Sequence, residues 1–190
     1  MVRLGRLVPA LMAATLLAAG CGYNTIQTKD EAVNAAGSQI KTQLQRRADL
    51  IPNLVATVQG IAKQETTVFI RVAEARSKLA GAVQSGNLQQ MAEANTALNA
   101  PLGRLLAIAE NYPELKSSQN FLQLQDQLEG TENRISVARQ DYNRAVEDFN
   151  AYIRRFPYNL TAKVTGHGKP REYFELTSPG AAEAPKVKFP

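Results

Sequence analysis

Apolar residues recur along this chain at alternating intervals of three and four. From Leu44 the series runs through Arg47, Ile51, Leu54, Val58, Ile61, Glu65, Val68, Val72 and Ala75 to Leu79, with Val33, Ala36 and Ile40 leading into it. Such spacing places every member on one stripe of a helix, as a bundle seam requires. Pro52 interrupts the series: it has no N–H to donate and disfavours helix at Ile51. The chain therefore turns near Asp49–Asn53 or continues as one long kinked helix. A second stripe, Leu88, Met91, Leu98, Leu102, Leu105 and Ile108, follows Ser85-Gly86-Asn87. There glycine suits a left-handed helix stop and Asn87 suits an N-cap. Pro101 should bend or split this helix, and Tyr112-Pro113 should end it. The third stripe is the most regular, from Phe121 through Leu128, Thr131, Ile135, Ala138, Tyr142, Ala145, Phe149 and Tyr152 to Phe156, where Pro157 stops it.

The pattern predicts an all-α fold: an up-and-down antiparallel four-helix bundle whose first pair is two helices or one long kinked helix, with short connections making successive helices neighbours. It divides the chain into residues 29–157 as the bundle and 158–190 as an extended C-terminal arm, docked through Phe174 and Phe189.

The front of the chain follows different rules. Arg3 and Arg6 precede an uncharged run whose most hydrophobic part lies between Leu7 and Leu17, and the run passes through Ala18-Ala19-Gly20 to Cys21. A basic start, an apolar centre and small residues before a cut form a secretory signal. The cysteine after them resembles the lipobox of bacterial lipoproteins, which implies cleavage before Cys21 and attachment of a lipid to its thiol. On this reading residues 1–20 are a signal peptide and 21–28 a lipidated tether. The run is also long enough to be read as an uncleaved single-pass membrane helix. Either way the body faces the periplasm or exterior. Gly22 after the cysteine leaves inner and outer membrane equally open.

Composition narrows the chemistry. Cys21 is the one cysteine, so an acylated chain has no thiol left for a disulfide, a metal or a nucleophile. The net charge is +5, and Arg3 and Arg6 contribute two of those charges. The remaining excess is small and dispersed, unlike the basic face that nucleic-acid binding needs. His167, the one histidine, lies in Thr165-Gly166-His167-Gly168 and reads as a solvated loop residue. No metal or cofactor set is visible.

Four charged residues stand out by position. Arg47 and Glu65 fall on the first seam, and Glu132 and Arg139 lie seven apart beside the seam of the last helix. A buried charge is costly unless paired. Arg47 and Glu65 would be about 27 Å apart on a straight helix, so each needs a partner from another helix, with Glu132, Arg139, Arg76 and Glu110 as candidates. The expected role is to fix helix register, or to form a partner-binding patch.

Several strings resemble the LemA family of membrane-anchored helical proteins: Tyr23-Asn24, Arg46-Arg47-Ala48-Asp49-Leu50-Ile51-Pro52-Asn53-Leu54, Glu110-Asn111-Tyr112-Pro113-Glu114-Leu115, and Asn120-Phe121-Leu122-Gln123-Leu124-Gln125. The likeness continues through Glu129 to Ile135, Ala138 to Asn143, and Phe156-Pro157. It implies a helical bundle behind an N-terminal membrane anchor and supplies no enzymatic activity. The cysteine and Pro101 depart from the family's pattern. The sequence thus points to a non-enzymatic envelope scaffold or adaptor, bound to membrane lipid through Cys21 and to a protein partner in the envelope. The alternatives are a self-associating, homo-oligomeric structural protein and a hydrolase using carboxylates such as Glu132.

Overall fold

The computed structural model describes residues 4–175, with side chains described from residue 22 onward. Among the described residues six helices follow one another: α1 (Leu4–Gln59), α2 (Thr66–Ser85), α3 (Leu88–Glu110), α4 (Pro113–Lys116), α5 (Gln119–Arg154) and α6 (Tyr158–Val164). No strand occurs among the described residues, and the fold is all-α. The chain divides into two compact units, with α1 and α5 contributing to both. The signal peptide and Cys21 expected at the front, and Phe189 at the end, lie outside the residues whose side chains are described.

One unit holds Lys41–Ser136. Its core is made of Leu44, Ile51, Leu54 and Val58 from α1, Val72 and Leu79 from α2, Met91, Leu98 and Leu105 from α3, and Leu128 and Ile135 from α5, all buried. Each such side chain contributes about 1.5–3 kcal/mol by leaving water, and together they outweigh the weak propensity of any single helix. Gly86 ends α2 with φ of 70°, a left-handed conformation that suits glycine. Asn87 then caps α3, its side chain accepting from the Gln90 N–H at 3.0 Å. So short a link sets α2 and α3 side by side, and the two pack together.

The first predicted stripe is two helices rather than one. The chain leaves α1 at Gln59 and re-enters helix at Thr66, while the three-four phase runs on through the turn. Phase alone cannot register a break whose length preserves it. Ile61, expected on the seam, is 40 % exposed, and Ala62 is the buried residue beside it.

Pro52 neither turns nor ends α1. The N–H it lacks would have been given to the carbonyl of Ala48, one helical turn earlier. Arg76 of α2 supplies the missing donor, its Nε reaching Ala48 O at 3.1 Å. Pro52 itself is exposed, so its ring displaces nothing in the core. Pro101 likewise stays inside α3, where the corresponding residue, Ala97, lies on the exposed side. Tyr112-Pro113 does end α3, as expected, with Pro113 opening the short α4.

The other unit joins the part of α1 up to Ile40 with Val137–Tyr173. Ile26, Val33 and Ile40 recur every seven residues along α1, and α5 contributes Ala138, Tyr142, Val146, Phe149 and Ile153. Phe149 holds its expected place, while Val146 and Ile153 depart from the stripe extrapolated through Ala145, Tyr152 and Phe156. A helix of 3.6 residues per turn drifts about 20° per heptad against a strict 3.5 repeat, so over α5 the buried line moves by one residue. Phe156 ends up 79 % exposed.

The arm is not extended throughout. After a cis Phe156–Pro157 bond, Tyr158–Val164 form α6, anchored by fully buried Ala162. The following segment is irregular, and Phe174 within it is buried.

Candidate functional site

Two polar centres are built into the molecule, one in each unit. In the Lys41–Ser136 unit, α1 carries Arg47 inward at a seam position, where it is 5 % exposed. Its Nη1 lies 2.6 Å from Glu132 Oε2 of α5 and donates to Asn95 Oδ1 of α3, also at 2.6 Å. Its Nη2 donates to Asn99 Oδ1 at 2.9 Å. One guanidinium therefore ties three helices together. Burial pushes Arg47 below the usual arginine range, and the Glu132 carboxylate opposes that shift. The pair is asymmetric, because the Glu132 side chain is 47 % exposed while that of Arg47 is 6 % exposed. Water thus screens the acid, and the cation depends on the two asparagines for its remaining solvation.

The second centre fixes the segment after α6. Asn150, buried on α5, treats Arg171 as a strand neighbour would: its Nδ2 donates to Arg171 O at 2.9 Å, and its Oδ1 accepts from the Arg171 N–H at 2.8 Å. The Arg171 guanidinium reaches α1, where Nε and Nη2 donate to Asp30 Oδ1 at 3.0 and 2.7 Å. Tyr142 on α5 donates its phenol proton to Glu172 O at 3.1 Å. Burial raises the Tyr142 pKa above 10.0, with Arg171 pulling it down and Glu172 pushing it up.

Of the residues singled out in the sequence, Arg47 and Glu132 are brought together. Glu65 is not part of any seam: α1 has ended before it, and it stands exposed at the N-cap of α2. Its predicted burial fails because the stripe was extended across a turn. Arg139 is half-buried on α5, in the other unit from Glu132. His167 is half-buried rather than solvated, its ring nitrogens lying 3.4 Å from Gln27 Nε2 and 3.3 Å from Thr165 Oγ1.

Asn95 was missed, yet a signal for it existed. The stripe Met91, Leu98, Leu102, Leu105 skips one place in its three-four rhythm, and Asn95 fills it. A polar side chain at a seam position calls for a buried partner, which Arg47 provides. Asn150 left no such trace, because its partner is backbone in an irregular segment. Among the described residues no group of three or more His, Cys, Asp or Glu side chains is gathered to hold a metal ion.

With this geometry in view, comparison with known proteins is informative. The LemA family profile matches residues 36–189. The chain belongs to the LemA family. Among curated relatives, magnetosome protein MamQ 2 of Paramagnetospirillum magneticum is 29% identical over an alignment covering 80% of this chain and 64% of that protein. Magnetosome protein MamQ of Magnetospirillum gryphiswaldense is 27% identical with the same coverage. Protein LemA of Metamycoplasma hominis is 24% identical over 74% of this chain and 63% of its own length. The chain thus spans a little under two-thirds of the length of these relatives. The Arg47 centre and the Pro52–Arg76 arrangement fall inside the matched region, as does the second centre apart from Asp30.

Proposed function

We propose that this LemA-family chain is a membrane-tethered, non-enzymatic scaffold or adaptor of the bacterial envelope, held to the bilayer by lipid on Cys21. The observation that carries the scaffold reading is the use made of the buried polar groups. Buried Arg47 engages both Asn95 and Glu132, and buried Asn150, with the Arg171–Asp30 pair nearer the surface, fastens a chain segment. Groups spent in this way set helix register and hold a surface in one form, which suits presentation to a partner.

Anchoring is supported by the basic start, apolar run and Leu17-Ala18-Ala19-Gly20-Cys21 sequence. Among the described residues, no helix is long and apolar enough to cross a membrane. Intact-mass analysis of the membrane-extracted protein tests the tether: the expected mature chain begins at Cys21 and carries acyl mass. A soluble chain retaining Met1 would refute it. Mild crosslinking at native expression then tests the adaptor role, with a specific envelope protein expected on the bundle; repeated recovery of the lone monomer counts against it.

A further inference from the structure

The short helix α6 carries an apolar face that nothing in its unit covers. Leu160 and Val164 lie one turn apart on it, 55 and 88 % exposed, and Phe156, in the turn just before the helix, is 79 % exposed. The opposite face is seated: Ala162 is fully buried, and the Tyr158 ring stacks on Tyr152 of α5 with centroids 4.5 Å apart. Tyr158 also lies against the backbone of α1 at Gly22, so closely that a Cβ there would meet its ring at 2.5 Å. Gly22 is the covalent neighbour of Cys21. The helix is therefore seated against a residue that directly follows the proposed anchor in sequence.

The segment that carries α6 is rich in cations. From Phe149 to Arg171 the sequence contains no aspartate or glutamate, while Arg154, Arg155, Lys163 and Lys169 are all exposed. The acids flanking this stretch are Asp148, paired with Lys29, and exposed Glu172, while Asp30 of α1 pairs with Arg171. Tyr23, directly after Gly22, adds a 42 % exposed aromatic ring. Apolar side chains rimmed by cations, with tyrosine beside them, match the boundary between headgroups and acyl chains of an anionic bilayer.

We infer that α6 lies on the membrane surface, inserting Phe156, Leu160 and Val164 among lipids while the neighbouring cations engage anionic headgroups, so that the tether and α6 hold the unit by two points. This rests on the N-terminal anchoring proposed above, and holds whether Cys21 is acylated or the apolar run spans.

The sequence contains no tryptophan, so Val164→Trp gives the full chain one tryptophan, which can be excited selectively at the red edge of the absorption band. In phosphatidylcholine–phosphatidylglycerol vesicles bearing brominated acyl chains, its emission should shift to the blue and be quenched. Ile70→Trp, at a 59 % exposed site in the other unit, should show neither effect. Introducing Arg154→Gln with Arg155→Gln should lower the docked-to-free ratio about thirtyfold, the order expected for two cations at an anionic surface, and removing phosphatidylglycerol should lower it at least as much. Flotation with vesicles without quenching at position 164 would overturn the inference and leave the tether standing. Blue-shifted but unquenched emission would mean that protein covers the face, which also overturns it. Failure to float at all would overturn both readings.

Discussion

Arg47 shows why a buried charge need not be a reactive one. Its cost of desolvation is offset by Glu132 and two asparagines through Nη1 and Nη2, while Nε stays buried without a partner, and these contacts form only when all three helices stand in register. Arg47→Leu should therefore leave helicity largely intact while lowering stability by about 2 kcal/mol, because Asn95 is left buried without its donor; chemical denaturation followed by circular dichroism measures this. Asn95→Leu in the same chain should recover part of the loss, since an apolar pair has no unmet polar group. Equal losses in the single and double variants would show that the asparagine contributes nothing. Thr131, another polar seam residue, is buried without penalty because its hydroxyl donates back to Gln127 O at 2.7 Å.

Among the elements, α1 depends on a neighbour for its continuity. Pro52 leaves the Ala48 carbonyl without its helical donor, and Arg76 replaces that donor from α2. Arg76→Ala should cost about 1–2 kcal/mol, the order for a part-buried carbonyl losing its hydrogen bond. In a Pro52→Ala background the helix supplies its own N–H, and the same substitution should cost much less. Additive effects of the two changes in thermal melts would refute the link. The periodic pattern made α2, α3 and α5 legible. It failed where its own regularity misled: across the 60–65 turn, which kept phase, and at the end of α5, where heptad counting drifted off Val146 and Ile153 onto Tyr152 and Phe156.

At the scale of the whole molecule, the fastening of the segment after α6 should respond to alkali. The Tyr142 phenol has a raised pKa in the fold, so its proton contributes stability that is full below pH 10 and lost as pH rises through the folded value. Wild type should thus become less stable above about pH 10, and Tyr142→Phe, which has no such proton to lose, should show a smaller decline in unfolding midpoint. Parallel declines would assign the effect to other groups. Hydrogen exchange at the Arg171 amide reports the same fastening independently, and Asn150→Ala should accelerate it by removing the acceptor. By itself the sequence determined the helical class, the places where Gly86, Asn87 and Pro113 punctuate it, the basic, apolar and cysteine-ended front, and the candidacy of Arg47 and Glu132, because each of these follows from local spacing and side-chain chemistry. Only the tertiary structure decided that Arg47 meets Glu132 while Glu65 stands in water, that Pro52 sits inside an unbroken helix, and that α6 forms and exposes Phe156, Leu160 and Val164. Those outcomes depend on which groups a distant segment brings within hydrogen-bonding or packing reach, and spacing along one chain carries no record of that.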